Sequence, residues 1–275
     1  MTAVTSFVDL ADSVAVVTGA GSGIGRAIAH SVAREKSHVV VTDIDDERTE
    51  TVAAEIRSGG GDAMALHCDV SQLADFERVR DTCLDRFGRV DVVVNNVSVL
   101  AVGPPEAIPL DEWHRALDIN LLGIVRSNQV FLPVLMDQQR GHVVNTASTA
   151  GLLPYGYDRL PYTTTKHAIV GLSESLALYL RPRGIGVSCL CPAGVITNIA
   201  EHIRYFGTST SPRAPALPVV EASVVGDLVV EAITGDRFLV LTTPEVGDEL
   251  AVRGRDIDGY VRSRSQGTPT NGVTT

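Results

Sequence analysis

Aromatic residues and cysteines are scarce in this sequence, with Phe, Trp and Tyr at 5% of 275 residues and only four cysteines. Two of the cysteines, Cys189 and Cys191, lie in a segment with the pattern of a strand. No second Cys or His pair at metal-ligand spacing accompanies them. We therefore expect small buried side chains rather than a metal site or a disulfide framework.

Basic residues are also in deficit. Lys and Arg number 23 against 33 Asp and Glu, which gives a formal net charge of −10 and a pI of about 5.1. No segment concentrates the basic residues into a patch. Because an acidic surface repels phosphate backbones, the sequence predicts no nucleic-acid partner.

Long apolar runs are missing as well. No uninterrupted apolar stretch reaches the roughly 18 residues that a membrane-spanning helix needs. The N-terminal residues lack the basic segment and following apolar segment of a signal peptide. The sequence therefore predicts no membrane partner and a cytoplasmic location.

Short apolar runs that alternate with helical patterns make up most of the sequence. Strands are predicted at 13–18, 38–42, 63–68, 91–95, 142–147, 186–191 and 237–241. Helices are predicted at 24–34, 45–58, 71–86, 110–138 with a break or bend near Pro133, 162–180 and 219–233. Strands separated by helices favour right-handed βαβ units. We expect an α/β fold: one doubly wound Rossmann domain whose seven-stranded parallel sheet has helices on both faces.

A glycine-rich segment stands between the first strand and the first helix. Gly19, Gly21, Gly23 and Gly25 are interleaved with Ser22 and Ile24. Glycine lets the backbone turn tightly and approach a pyrophosphate, and the helix that follows offers unpaired N–H groups to it. At this position in a βαβ unit, the turn indicates a dinucleotide site rather than a merely structural turn.

Acidic and amide side chains follow the next strands. Asp43, with Ile44 after it, ends the second strand, where a carboxylate binds the adenosine ribose hydroxyls and repels a 2′-phosphate. Since positions 20–22 carry no Lys or Arg, NAD is favoured over NADP. The alternative is a solvated charge at a strand end. Asp69 with Val70, and Asn96, end the third and fourth strands and complete the predicted adenosine side.

Tyr162 and Lys166 are four residues apart at the start of a predicted helix, so they share a face. A nearby ammonium favours the phenolate and lowers the pKa of the phenol toward that of a useful base. Ser148, after the fifth strand, is placed to hydrogen-bond a reacting oxygen. A Tyr-x-x-x-Lys pattern alone is weak evidence, because it often arises by chance.

Together these motifs resemble the short-chain dehydrogenase/reductase family over about 13–241. The resemblance implies that Tyr162 is the general acid/base, that Lys166 lowers its pKa and binds the nicotinamide ribose, and that Ser148 orients the carbonyl. It also implies that Asn120 holds a proton-relaying water. At the nicotinamide half of the cofactor it implies contacts from Pro192, Val195 and Thr197. Family position further suggests an apolar substrate wall formed by Leu100, Leu153, Tyr157, Ile203 and Phe206, each of which is equally consistent with a core position.

Three departures from the family pattern stand out. Val97-Ser98 replaces Ala-Gly after the two asparagines, and Ala193 interrupts the Pro-Gly pair at the sixth-strand end. Ser148 and Tyr162 are 14 residues apart, where the family commonly has one fewer. We expect an altered pocket wall without loss of a catalytic group.

The resemblance also predicts the organisation and activity of the chain. We expect a lead at 1–12, a Rossmann-fold oxidoreductase domain at 13–260 with a substrate-binding loop at 197–218, and a disordered tail at 261–275. The expected activity is NAD-dependent hydride transfer on a small-molecule carbonyl or secondary alcohol. An NADPH-dependent carbonyl reductase and a non-catalytic dinucleotide-binding regulator are the alternatives. The family implies a homo-oligomer, commonly a tetramer, formed through the helices at 110–138 and 162–180.

Overall fold

The chain forms a parallel sheet with helices on both faces. The structure is a computed structural model that describes residues 7–198, 201, 203–208 and 217–265. Its strands are β1 (Val14–Thr18), β2 (His38–Asp43), β3 (Asp62–His67), β4 (Val92–Asn95), β5 (Leu100–Val102), β6 (Gly141–Thr146), β7 (Ile185–Cys191), β8 (Gly194–Ile196), β9 (Ile203–Tyr205), β10 (Val219–Glu221) and β11 (Leu239–Leu241). Its helices are α1 (Gly23–Arg34), α2 (Asp46–Ser58), α3 (Leu73–Phe87), α4 (Leu110–Ala116), α5 (Gly123–Gln138), α6 (Leu160–Leu180), α7 (Ala222–Thr234), α8 (Glu245–Arg255) and α9 (Ile257–Ser265).

Seven strands form the central sheet in the order β3-β2-β1-β4-β6-β7-β11, and each neighbouring pair is parallel. The predicted fold class is confirmed. Strand order reverses between β1 and β4, since the chain proceeds from β1 outward to β3 and then returns to β4. In open α/β sheets a ligand crevice lies at this reversal, beyond the carboxyl ends of the strands.

Valine-rich strands explain why both faces of the sheet need helices. All residues of β1, β4, β6 and β7 are buried, as expected for parallel strands covered on both faces. On one face they pack against α1, α2 and α7, through side chains such as Ile28 and Val229. On the other they pack against α3, α5 and α6, through Phe76, Phe131 and Leu180.

The predicted helix at 110–138 is interrupted, but the break is not at Pro133. A π-helical segment, Leu117–Leu122, separates α4 from α5, whereas α5 continues through Pro133. By length and composition alone, Leu110–Gln138 would suffice to cross a membrane. Phe131 and Leu135 are nevertheless buried in the core, so this segment packs as a core helix.

Both chain ends contribute more structure than the sequence predicted. Val8 and Leu10 of the expected lead are buried in the core. The expected disorder from 261 onward is wrong for 261–265, because α9 extends to Ser265 and is anchored by the buried Tyr260. Residues 266–275 lie outside the described chain.

Two small strand pairs and the helices α8 and α9 were not predicted. β5 pairs with β9 and β8 pairs with β10, both in parallel. These strands have only three residues each, too few to show an alternating pattern. They fix part of the predicted substrate-binding loop, of which 199–200, 202 and 209–216 lie outside the described residues.

Candidate active site

A cleft of about 420 Å³ occupies the carboxyl ends of the central strands. It brings together most of the residues predicted from the sequence to bind the cofactor. Those that line it are Gly19, Ser22, Gly23, Ile24, Asp43, Ile44, Asp69, Val70, Asn96, Tyr162, Lys166, Pro192 and Thr197. Residues that are distant in the sequence therefore form one continuous surface, from the end of β2 to the start of α6.

The glycine turn has the close backbone approaches that exclude side chains. Gly19 and Gly23 have positive φ angles of 62° and 53°. A Cβ on Gly25 would lie 2.1 Å from the Gly19 carbonyl oxygen and 2.7 Å from Asn96 Nδ2. Gly25 therefore lets α1 approach β1 and β4, and the N-terminus of α1 faces the cleft with unpaired N–H groups, which fit a pyrophosphate.

Asp43 is anchored over this turn. Its carboxylate accepts hydrogen bonds from the backbone N–H groups of Gly21, at 3.0 Å, and Asp45, at 3.2 Å. A Cβ on Gly21 would lie 3.0 Å from Asp43 Oδ2, so glycine is what permits the contact. The carboxylate is thereby fixed at the end of the cleft where the sequence predicts the adenosine ribose.

Asp69 and Asn96 also hold the local structure together. Asp69 Oδ1 accepts from the Ser71 N–H at 2.9 Å, which shapes the turn before α3. Asn96 donates from its backbone N–H to Thr18 Oγ1 at 3.0 Å and accepts from Thr146 Oγ1 at 3.3 Å. Asn96 therefore ties β1, β4 and β6 together below the cleft.

Tyr162 and Ser148 are neighbours despite the extra residue between them in the sequence. The Ser148 hydroxyl lies close enough to the Tyr162 phenol to affect its pKa, so the segment between them absorbs the additional residue. Burial raises the pKa of Tyr162, whereas the hydrogen bond from Ser148 and, after it, the charge of Arg159 lower it. The net effect raises the pKa of Tyr162 above its ordinary value, and the lowering by Lys166 that the resemblance implies stays a prediction.

Lys166 is buried beside the Tyr162 ring. Its Nζ lies 5.4 Å from the ring centroid and donates to the Thr146 carbonyl oxygen at 2.8 Å. Burial lowers the pKa of Lys166 to about 8, although the nearby Cys191 and Cys189 act to raise it. The ammonium is thus held at one place between β6 and α6.

Asn120 lies in the π-helical segment, and both N–H groups of its side-chain amide donate to protein oxygens. Its Oδ1 accepts from the Val99 N–H at 2.8 Å, and its Nδ2 donates to the Val99 carbonyl and to Thr165 Oγ1, both at 3.1 Å. The side-chain amide therefore fixes the segment after β4 against the start of α6. For a water relay, the side chain has only the second lone pair of Oδ1 to offer.

Several predicted residues do not line the cleft. Gly21 and Gly25 are not part of its lining, and Val195 pairs with Val220 between β8 and β10. Leu153 is fully buried against the side chains around Cys191, which favours the core position that the sequence left open for it. The other four predicted wall residues, Leu100, Tyr157, Ile203 and Phe206, are also absent from the lining, and Leu100 pairs with Ile203 between β5 and β9.

Several cleft residues were not predicted as site residues, among them Arg48, Val97, Ser98, Arg115 and Asn198. Arg48 stands three residues after the N-cap Asp45, with its Nε 3.3 Å from Asp45 Oδ2. Its Nη2 lies 3.1 Å from Glu201 Oε2. The helix start at 45 placed Arg48 near the ribose end of the cleft, so its involvement could have been found from the sequence.

The reversed strand order and the glycine turn define a dinucleotide-binding α/β protein, and the Tyr-Lys pair on α6 places it among the oxidoreductases of this fold. A family model described as short chain dehydrogenase matches residues 13–206. The chain belongs to the short-chain dehydrogenase/reductase family. It is therefore an oxidoreductase that acts on hydroxyl or carbonyl groups, in a family that binds nicotinamide dinucleotides.

Similar proteins support the same assignment over nearly the whole chain. A 1-deoxy-11-beta-hydroxypentalenate dehydrogenase from Streptomyces exfoliatus is 35% identical and covers 90% of this chain and 89% of its own. A 3-alpha-(or 20-beta)-hydroxysteroid dehydrogenase from Mycobacterium bovis is 33% identical, with 84% and 88% covered. A crystal structure of a family member from Burkholderia phymatum in complex with NAD superposes with a TM-score of 0.82 at 31% identity, covering 98% of this chain and 100% of the other.

Proposed function

We propose that the chain is an NAD-dependent dehydrogenase that exchanges a hydride with an apolar secondary alcohol or its ketone. The observation that carries this proposal is the position of Tyr162, with Ser148 close to its phenol, in the same cleft as the glycine turn and Asp43. A proton-transfer group and a dinucleotide cradle thus share one cavity.

In the proposed reaction, the bound nicotinamide takes up or releases the hydride. The Tyr162 oxygen accepts the proton of the substrate hydroxyl during oxidation and returns it to the carbonyl oxygen during reduction. Ser148 donates its one hydroxyl hydrogen to the reacting oxygen and so orients it beside Tyr162. Lys166, held by the Thr146 carbonyl, supplies a positive charge beside the phenolate. Asn120 positions Val99 and Thr165 around these groups.

The choice of NAD is supported by charge at the ribose end of the cleft. Asp43 would repel a 2′-phosphate. Arg48, which lies at the same end, favours the alternative of an NADPH-dependent reductase. Two carboxylates already neutralise Arg48, however, since Asp45 and Glu201 contact its guanidinium. The balance of these charges favours NAD.

The cofactor choice is tested by measuring Kd for NADH and NADPH in the wild type and in Asp43→Ala. We expect tighter NADH binding in the wild type and a shift toward NADPH in the variant, because the variant loses both the ribose acceptor and the repulsion. Tighter NADPH binding by the wild type would contradict the choice.

The apolar substrate class is supported by the cleft and by the relatives. Val97, Val99 and Ala147 are apolar residues of the cleft lining. Two relatives act, by their names, on a hydroxypentalenate and on hydroxysteroids. A panel of apolar secondary alcohols and ketones, compared with short polar ones, tests this class by kcat/KM.

We also propose a homotetramer assembled through α5 and α6. Leu178 and Tyr179 on α6 are exposed apolar side chains, as is Leu122 just before α5. Exposed large apolar side chains on these two segments would be covered in such an assembly. Light scattering of the purified protein should give the mass of four chains.

The catalytic proposal is tested with Tyr162→Phe. We expect kcat to fall about 10²- to 10⁴-fold, with NADH affinity retained because the ring remains. Unchanged turnover would exclude Tyr162 as the acid/base. Binding of NADH without turnover in the wild type would instead favour a non-catalytic regulator.

A further inference from the structure

Ser98 occupies a position at which this chain departs from its family. Val97 and Ser98 stand after Asn96, at the carboxyl end of β4, where the family pattern has Ala-Gly. All three of Val97, Ser98 and Val99 line the cleft. Ser98 therefore adds a hydroxyl to a part of the cleft where the family pattern has no side chain.

The backbone on both sides of Ser98 is fixed. Val97 Cγ2 lies 3.0 Å from where a Cβ on Gly19 would be, so Val97 packs against the glycine turn. Val99 exchanges two hydrogen bonds with the Asn120 amide, at 2.8 and 3.1 Å. The backbone of Ser98 is thus held between the glycine turn and the residues around α6. The remaining freedom of its side chain is rotation about the Cα–Cβ bond.

The Ser98 hydroxyl is buried without a partner. Across the described part of the chain, no group lies within hydrogen-bonding distance of Ser98 Oγ. Ser148 differs, since its hydroxyl accepts from the Ala150 N–H at 3.1 Å. Buried hydroxyl groups in native proteins are nearly always paired, because an unmade hydrogen bond destabilises the fold. A ligand that supplies the missing hydrogen-bond partner would explain why an unpaired hydroxyl is retained at this position.

We propose that Ser98 recognises a ribose hydroxyl of the bound dinucleotide. The inference rests on the proposed function. Ser98 lines the cleft, and a rotation of about 120° between staggered wells would break no hydrogen bond, because Oγ makes none in the described structure. A serine hydroxyl both donates and accepts, which matches a ribose hydroxyl. A substrate hydroxyl has the same chemistry and reaches the same cleft, so the experiment must separate the two sources.

The test is a titration with NADH, in the absence of substrate, of the wild type, Ser98→Ala and the control Ser127→Ala. Ser127 is also a fully buried serine whose Oγ has no partner among the described residues, but it lies on α5 away from the cleft lining. We expect Ser98→Ala to raise the Kd for NADH about three- to tenfold. The Tm of the free protein should stay the same or rise in both variants, because each loses an unpaired buried hydroxyl. Ser127→Ala should leave the Kd unchanged.

Three results would overturn the inference. An unchanged Kd for NADH in Ser98→Ala would exclude recognition of the dinucleotide by Ser98. If the KM for substrate rose in the same variant, the Ser98 hydroxyl would bind the substrate instead. A fall in the Tm of free Ser98→Ala with the loss of affinity would show a structural role. If the wild type itself failed to bind NADH, the proposed function and this inference would fall together. With normal wild-type binding, the first two results overturn the role of Ser98 alone and leave the proposed function standing.

Discussion

At the scale of single residues, the sequence predicted which side chains share a helix face, but it did not predict the environment that sets their pKa values. The spacing of Tyr162 and Lys166 predicted a shared helix face, and α6 places both on the cleft. The source of the pKa change was not predictable, because it depends on burial and on Ser148, which approaches from another strand end. Ser98 was missed as a binding group for the same reason: a missing hydrogen-bond partner is visible only in three dimensions.

His142 provides a residue-scale prediction about pH. Burial lowers its pKa to about 3, and the charge of Arg181 adds to the effect. As the pH falls below the ordinary histidine value of 6.5, His142 becomes protonated in the unfolded chain. In the folded chain it stays neutral until about pH 3. The resulting stability is present above pH 6.5 and is lost on acidification, by about 2 kcal/mol at pH 5.

The measurement is the free energy of unfolding between pH 7 and pH 5, from denaturant titrations. His142→Gln should lose less stability over this range than the wild type, whatever its stability at pH 7. The exposed His114, changed to Gln, is the control and should retain the wild-type slope. Equal slopes in all three proteins would show that His142 takes up its proton in the folded state.

At the scale of elements, the central strands and their crossover helices followed from apolar runs, glycines and caps. The predicted start of α2 at 45–46 agrees with the N-cap Asp45, whose carboxylate accepts from the N–H groups of Glu47 and Arg48. The π-helical segment at Leu117–Leu122 could not be predicted, because it is stabilised by contacts of Asn120 with Val99 and Thr165 from other parts of the chain. Pro133 does not end the helix as a break would, since α5 continues through it.

The packing of α1 against α7 gives a prediction at this scale. A Cβ on Gly226 of α7 would lie 2.4 Å from Ser31 Oγ and 2.6 Å from the Ala27 carbonyl oxygen of α1. Gly226→Ala should therefore force the helices apart and lower the free energy of unfolding by about 1–3 kcal/mol. Gly171 of α6 has open space around its Cβ position, so Gly171→Ala should raise it by about 0.5–1 kcal/mol. Thermal unfolding of both variants tests whether the two substitutions change the stability in opposite directions. Stabilisation by Gly226→Ala would contradict the close helix contact.

At the scale of the whole molecule, the doubly wound sheet was predictable because each βαβ unit carries its own pattern. The extent of the folded chain was not, since the polar sequence of α9 resembles that of a disordered tail. One aromatic residue anchors α9 to the rest of the fold. Tyr260 is buried at 7% exposure, and its hydroxyl donates to Glu249 Oε1 at 2.7 Å. Arg264 lies over the Tyr260 ring and pairs with Glu249.

The C-terminal helices should therefore unfold together with the sheet rather than before it. Tyr260 packs in the same cluster as Leu153 and Cys191, next to the strand end that carries the cleft. Tyr260→Ala should lower the free energy of unfolding by about 3 kcal/mol, and hence Tm on the order of 10 °C, in a single transition. Tyr260→Phe keeps the buried ring and should lose only about 1 kcal/mol. A wild-type Tm in Tyr260→Ala would mean that α9 adds nothing to the core, because removing a docked aromatic side chain always leaves a cavity or exposed apolar surface behind.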